Sequence, residues 1–388
     1  MTLSPPPPGG GEKIVQPVAF FGMLCYDRIR KNTQEAIAVK KLRWGVIGAG
    51  GIADRRTIPG MMLAKNAELT AVMEINMDFA ERLRAKYGAK RAYDSEEALL
   101  RDPEVDAVYI ATPIALHAAQ ARLAARFGKH ILIEKPLAMT AEEGQAVVAF
   151  CAAQNVQIAA GFMMRFGSHV MQMKQAAAEG RLGSIVSGYA QFTVWLPYAP
   201  GNWRQEKAKA GGGAMTDLAV HCIDLCEYVT GMRAVRVASM NETLTFRVPG
   251  YDVEDTSTIL MRMENGAQFV VQSNFNIPDE AAKWRLELFG TKGRLMGDNV
   301  IGQLDGGTLN AVFLGANSAY DAQQDHGDAS GFDIPGDFGN LYTREIESFS
   351  DSILNGTPLA VPASDAVHVQ RVMEAAYRSG ESGTFVNI

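Results

Sequence analysis

The sequence predicts an α/β protein: a doubly wound parallel sheet first, then a second α/β part with a large open, mostly antiparallel sheet. Three observations predict this. From Leu42 to Ala160, short apolar runs alternate with helix-length amphipathic segments, as in strands joined by crossover helices. The first run leads into a glycine pattern, Gly48-Ala49-Gly50-Gly51-Ile52-Ala53. Beyond Gly161 the runs are longer, alternate polar with apolar residues, and turn at Asn265-Gly266, a strong hairpin signal.

At 388 residues the chain has room for two domains. Its net charge of −6 argues against a non-specific nucleic-acid or acidic-membrane binder. An anionic cofactor held by backbone amides remains compatible with that charge. The four cysteines, Cys25, Cys151, Cys222 and Cys226, have neither metal-finger spacing nor a disulfide-dense pattern. A reducing, cytoplasmic setting is expected, and no apolar run is long enough to span a bilayer.

Residues 1–41 read as a poorly ordered extension. Pro5 to Gly11 is a Pro/Gly tract that cannot build a core. The apolar run Pro17 to Cys25 lacks the basic flank and cleavage site of a signal peptide. Leu42 to Ile47 then reads as a buried strand. In the glycine pattern, Gly48 permits a tight turn and Gly50 lets the backbone approach a pyrophosphate. Ala53 lets the following helix pack close, and that helix's N-terminus holds the phosphate charge. Glu68 to Met73 is the second strand, ending at Glu74. A carboxylate there accepts hydrogen bonds from both hydroxyls of an adenosine ribose and repels a 2′-phosphate, so NAD is expected over NADP.

The alternation continues with helices at Met77–Tyr87 and Glu96–Leu100 and a strand at Val105–Thr112, closed by Thr112-Pro113. Next come a helix from Leu116 to Phe127, carrying His117 in its first turn, and a strand at Ile131–Ile133. Glu134-Lys135-Pro136 follows that strand. Thr140 with Glu143 makes a capping box for the helix Ala141–Gln154, and Val156–Ala160 closes the series. Thr112, Pro113, His117, Glu134 and Lys135 thus fall near the sheet's carboxyl edge, where ligands bind in open α/β sheets. Alone, Lys135 reads as a surface lysine, and His117 could equally face solvent.

In the second part, His169–Ala178 is a helix and Ser184–Trp195 a long strand. A loop from Leu196 to Gly213 contains Trp203-Arg204 and ends in Gly211-Gly212-Gly213. The helix Ala214–Thr230 follows. Strands occupy the stretch from Ala234 to Gly293, and Gln303–Gly336 is a polar loop. Two helices, Leu341–Leu354 and Ala363–Tyr377, precede a last strand at Thr384–Ile388. In the helix after the glycines, Asp217 and His221 are four apart and share a face, which Asp224 continues. A histidine one turn from a carboxylate can serve as an oriented general base. The competing reading is a surface ion pair; the triple glycine, which would let a backbone pass close to a ligand, favours the site. A metal set of Asp217, His221 and Asp224 lacks a well-spaced further ligand, so no metal is expected.

Several motifs occur in a fixed order: GVIGAGGIA, ATPIALH, IEKP, GFMMRF, WR, GGGAMTDLAVHCID and EAAYRSGESGTFV. Together they resemble the Gfo/Idh/MocA oxidoreductases, from about Leu42 to the C-terminus. The resemblance implies a Rossmann domain over 42–160 and an α/β domain over 161–388 for substrate binding and assembly. It implies hydride transfer between a secondary hydroxyl of a sugar or cyclitol and NAD, in a homodimer or homotetramer built through the C-terminal sheet. Lys135 matches the catalytic lysine of the E-K-P motif, with a cis bond before Pro136, and Asp217 and His221 match the D-x-x-x-H pair. Gly48, Gly50, Gly51, Ile52, Ala53 and Glu74 match dinucleotide contacts. Thr112, Pro113, His117, Glu134 and Lys135 fall nearer the nicotinamide, and Arg165, Trp203 and Arg204 fall to the substrate. Met164 departs from the arginine of many inositol-dehydrogenase-like members. Two alternatives stand beside the dehydrogenase: a redox-neutral sugar-modifying enzyme that recycles its NAD, and an NAD-binding regulator without catalysis.

Overall fold

The structure is a computed structural model that describes residues 40–314 and 330–388. The expected extension, up to residue 39, and the middle of the Gln303–Gly336 loop lie outside the described residues.

The first sheet contains β1 (Leu42–Ile47), β2 (Ala67–Met73), β3 (Arg91–Tyr93), β4 (Ala107–Ile110), β5 (His130–Glu134) and β6 (Ile158–Gly161). All pair in parallel, in the order β3-β2-β1-β4-β5-β6. The order reverses between β1 and β4, which opens a crevice at their carboxyl ends. Every residue of β4 and of β6 is buried, as expected of parallel strands covered on both faces. The connecting helices are α1 (Ile58–Leu63), α2 (Met77–Tyr87), α3 (Glu96–Leu100), α4 (Ile114–Arg126) and α5 (Ala141–Ala153). Their ends follow local chemistry. Asn76 Oδ1 accepts from Phe79 N–H at 2.9 Å to start α2, and Gly88, at φ 69°, ends it. The capping box of α5 is half realised: Thr140 Oγ1 accepts from Glu143 N–H at 3.1 Å, but Glu143 Oε2 takes the N–H of Met139.

After α6 (Ser168–Ala178) the second sheet begins with β7 (Ile185–Thr193). A short helix α7 (Lys207–Ala210), a π turn over Met215–Ala219 and α8 (Val220–Thr230) intervene before the remaining strands. Those are β8 (Ala234–Glu242), β9 (Thr256–Met263), β10 (Gln268–Asn274), β11 (Arg285–Gly290), β12 (Gly293–Asp298), β13 (Thr308–Phe313), β14 (Phe332–Asp333) and β15 (Val386–Asn387). Among the described residues the order is β14-β13-β12-β11-β7-β10-β9-β8-β15, antiparallel except for β7 with β10. The Asn265-Gly266 turn joins β9 to β10 as expected, with Gly266 at φ 89°. In β9, Ser257, Ile259, Met261 and Met263 point inward, while Leu260 and Arg262 are exposed on the other face, the period-two pattern of a half-buried strand.

Two long helices close the chain, α9 (Leu341–Asn355) and α10 (Ala363–Ser382). Although α9 follows the second sheet in sequence, it packs on the first. Ile346 and Phe349 join one apolar cluster with Leu42, Trp44 and Val46, and Trp44 Nε1 donates to Ser350 Oγ at 3.2 Å. Gly60 of α1 permits the approach: a Cβ there would lie 2.7 Å from Tyr342 Cβ. No helix among the described residues is long and apolar enough to cross a membrane.

Candidate active site

A cleft of about 570 Å³ opens where the carboxyl edge of the first sheet meets α8 and the segment after β7. Its first wall holds Gly51, Ile52, Thr112, Pro113, His117, Glu134 and Lys135; its second holds Trp203, Arg204, Asp217 and His221.

The glycine loop is tied over β2 by Gly48 and Ala49 N–H groups, both donating to Met73 O at 3.1 Å. Gly48 has φ 75°, and a Cβ on it would sit 2.8 Å from Thr112 Cγ2. Gly50 N–H donates to Glu74 Oε1 at 2.7 Å. Gly51 has φ 56° with open space around it, and Ala53 is buried. The chain from Gly51 onward is helical; Ala53 and Asp54 N–H donate back to Gly50 O at 3.1 and 3.4 Å, and Gly51 and Ile52 precede the first amides that a helix can bond internally. An open, side-chain-free cradle at a helix N-terminus fits a pyrophosphate. Glu74 follows directly on β2, and its carboxylate ties down the loop at Gly50.

His117 is 1% exposed, with Nδ1 2.9 Å from Pro136 O and Nε2 2.8 Å from Thr112 O. It therefore does not face solvent; it pins the ends of two motifs together. Burial holds its pKa below the usual value, against the pull of both carbonyls. Glu134 accepts from Tyr109 Oη and from Lys135 N–H. Burial pushes its carboxyl up, and the Tyr109 bond and Lys135 oppose the shift. The Lys135–Pro136 bond is cis.

Lys135 Nζ donates to both Asp217 Oδ1 and Asp217 O, each at 2.8 Å. Arg204 Nε stands 3.5 Å from Asp217 Oδ2. Burial alone would raise the Asp217 carboxyl, but Lys135 and Arg204 hold it well below the usual range. His221 is 4% exposed and lies against the edges of Phe162 and Phe192, at centroid distances of 5.9 and 6.2 Å. Burial, reinforced by Lys135 and opposed by Asp217, drives its pKa well below 6.5.

The expected Asp217–His221 hydrogen bond is replaced by a different pairing. Asp217 serves Lys135 and Arg204, and His221 Nδ1 has no hydrogen-bond partner. The physical reason is local: Met215–Ala219 forms a π turn, whose wider helix does not stack residues four apart as an α-helix does. The triple glycine also acts differently from expectation. A Cβ on Gly212 would meet Tyr377 Oη at 1.9 Å, and one on Gly213 would meet Glu254 O at 1.9 Å. The close approach at these two glycines is to the protein itself. Glu254 Oε1 accepts from Gly213 N–H, Met215 N–H and Tyr377 Oη, each at 2.9 Å, and so braces the strap leading to Asp217.

Arg165 corrects a further expectation. It is 4% exposed and lies away from the cleft, with Nε donating to Asp224 at 3.0 Å and Nη1 to Asp365 at 2.9 Å. A buried guanidinium between two carboxylates is committed to joining the turn Met163–Phe166 after β6 to α8 and α10. Met163 and Met164 line the cleft instead. Asp224, held by Arg165, does not join Asp217 and His221. Among the described residues no group of three or more His, Cys, Asp or Glu side chains could hold a metal ion. The sequence reading missed Tyr342, which reaches the cleft from α9, and Arg55 and Gln303. It also missed Glu254; the only signal was the C-terminal motif that contains its partner Tyr377.

Residues 42–162 match the model of the oxidoreductase family with an NAD-binding Rossmann fold, and residues 170–296 match the GFO/IDH/MocA C-terminal domain. The chain is 30% identical over 311 residues to 1,5-anhydro-D-fructose reductase of Ensifer adhaerens, covering 80% of this chain and 88% of the relative. It is 26% identical to myo-inositol 2-dehydrogenase of Thermotoga maritima, over 89% of this chain and 98% of the relative. Among solved structures, a levoglucosan dehydrogenase in complex with NADH and levoglucosan aligns with a TM-score of 0.77 and 25% identity, over 90% of this chain and 100% of the other. The glycine cradle, the Lys135–Asp217 pair and these matches lead to one conclusion: the chain belongs to the Gfo/Idh/MocA family of NAD(P)-dependent oxidoreductases.

Proposed function

We propose that the protein transfers a hydride between a secondary hydroxyl of a sugar or cyclitol and NAD, with Lys135, Asp217 and His221 as its catalytic residues. The observation that carries this reading is the Lys135–Asp217 pair at 2.8 Å, facing the cleft beside a buried, neutral His221. When bound, the nicotinamide supplies the hydride acceptor or donor. Gly51 and Ile52 would hold the pyrophosphate half, and Gly50 and Ala53, whose N–H groups are taken by Glu74 and Gly50 O, would serve by keeping side chains out of its way; Thr112, Pro113, His117 and Glu134 border the other end. His221 is kept neutral by burial and is ready to take the hydroxyl proton. Lys135 donates to the same oxygen and stabilises its developing negative charge. Asp217 aims the lysine, and Arg204, stacked 4.4 Å over Trp203, holds Asp217 from the far side. Glu74 supports NAD over NADP, because a carboxylate at the end of β2 repels a ribose 2′-phosphate. Leu260 and Met240, exposed at 48% and 72% on the outer face of the second sheet, support assembly through that face. Buried free thiols at Cys151, Cys222 and Cys226 support a cytoplasmic setting.

The test is the pair of variants Lys135→Ala and His221→Ala. Each is expected to lower kcat by about 10²–10⁴-fold, the usual worth of a general acid or base, with NAD affinity nearly unchanged. Initial rates at the NADH absorbance and a fluorescence titration with NAD measure the two effects. Turnover at the wild-type rate in either variant would sink the reading.

A further inference from the structure

Arg204 is only partly used by the protein. Its Nε stands 3.5 Å from Asp217 Oδ2 and its guanidinium lies 4.4 Å over the Trp203 ring, but Nη1 and Nη2 have no partner among the described residues. The side chain is 34% exposed and lines the cleft. Lys135 holds Oδ1 of the same carboxylate at 2.8 Å. Two cations thus share one anion, and one positive charge is left over. Glu134, the other carboxylate of the cleft among the described residues, is already taken by Tyr109 Oη and Lys135 N–H.

The remaining polar side chains of the cleft are mostly donors without an acceptor. Asn202 Oδ1 accepts from Arg204 N–H and Gln303 Oε1 from Arg56, each at 3.2 Å, which leaves both side-chain NH₂ groups free among the described residues. Trp203 Nε1 has no partner there either. The hydroxyls are spent or shut away. Thr112 Oγ1 donates to Gln120 at 2.5 Å, Thr216 Oγ1 is bonded to Tyr377 Oη at 3.0 Å, and Tyr342 Oη, though unpartnered, is closed off from solvent. Arg55 is a second cation exposed in the same cleft with no hydrogen-bond or ion-pair partner among the described residues. It stands about one turn after Gly51 and Ile52, beside the cradle proposed for the pyrophosphate, so the cofactor's own charge accounts for it. Arg204 belongs to the opposite wall, beside the proposed reacting centre.

We propose that the substrate is an anion: a sugar or cyclitol acid whose carboxylate is received by Arg204 Nη1 and Nη2 while its reacting hydroxyl meets Lys135 and His221. This rests on the oxidoreductase reading above. A guanidinium presents parallel N–H donors that match the two oxygens of a carboxylate, and the Trp203 ring behind it fixes its plane. Lys135 Nζ and Arg204 Nε stand at the two oxygens of one carboxylate, so the substrate's acid group and its reacting hydroxyl are only a few bonds apart. A neutral ring that displaces water from the cleft leaves the Nη pair and the surplus charge unanswered, which costs binding.

The test compares acids with neutral counterparts, using the wild-type protein and NAD: D-glucuronate with D-glucose, D-galacturonate with D-galactose, and quinate with myo-inositol. In at least one pair the acid is expected to have the higher kcat/KM by about tenfold or more, the usual worth of a hydrogen bond to a charged group. A smaller or reversed preference in every pair that is turned over overturns the proposal and leaves the oxidoreductase reading standing. Turnover of none of the six, with NAD bound, overturns both. Two variants separate the two cations. Arg204→Gln should reduce the preference for the acid by about tenfold, whereas Arg55→Gln should raise the Kd for NAD and keep the preference. A folded Arg204→Gln protein with an unchanged preference, or loss of the preference through Arg55→Gln instead, overturns the assignment to Arg204.

Discussion

At His221 burial outweighs the carboxylate that the sequence places one turn away. An imidazole 4% exposed and close to Lys135 resists protonation. The acid limb of kcat/KM is therefore expected below pH 6.5, with a flat profile from there to neutrality. Rates measured from pH 5 to 8 check this, and a limb centred at or above 6.5 would count against a neutral His221 as base. The same shift acts on stability. Below pH 6.5 the unfolded chain takes up a proton that folded His221 refuses, so this contribution is lost as pH falls. Glu345 has the opposite sign. It is 3% exposed, its Oε1 has no partner, and burial, with the nearby Glu134, pushes its carboxyl well above 4.5. The folded state keeps a proton that the unfolded chain releases above pH 4.5, so stability is lost as pH rises. Glu345→Gln mimics the protonated form and should raise Tm at pH 8 by roughly 1–2 °C, with the gain shrinking towards pH 4.5. Calorimetric scans at both pH values test it.

At the scale of elements, the strap Gly211–Gly213 and the π turn after it decide where Asp217 points. Neither is set by propensity. Gly213 lies so close to Glu254 O that any side chain must displace it. Gly213→Ala is expected to cost about 1–3 kcal/mol, as overpacking does, and to lower kcat more than it raises KM, because Asp217 moves with the strap. Tyr377→Phe removes bonds of 2.9 and 3.0 Å to Glu254 and Thr216. About 1 kcal/mol of stability should go with them. Urea unfolding and steady-state kinetics on both variants read these effects. A Gly213→Ala protein with native kinetics would show that Glu254 does not set the strap.

For the whole molecule, α9 is the piece that sequence order misplaces. It buries Ile346 and Phe349 under the first sheet and delivers Tyr342 to the cleft. Ile346→Ala should cost about 2–5 kcal/mol, measurable in urea, although residue 346 lies in the part of the sequence expected to form the second domain. The proposed assembly uses the outer face of the second sheet. Leu260→Lys places a charge in the proposed interface and should lower the mass seen by light scattering. An unchanged mass would move the interface elsewhere.

By itself, the sequence determined the parallel alternation, the glycine turn, the NG hairpin and the limits of most helices. It also placed Glu134, Lys135 and Thr112 at the carboxyl edge of the first sheet. These features depend on local chemistry: apolar periodicity, caps, and glycine at positive φ. Only the tertiary structure decided that Lys135, and not His221, is the partner of Asp217. Those residues are 82 apart in sequence, and a π turn changes the face that a helical spacing predicts. Only the tertiary structure took Arg165 out of the cleft, since its two carboxylates come from α8 and α10. Charge pairing across elements, and a glycine's closeness to another chain segment, depend on distances that no local pattern encodes.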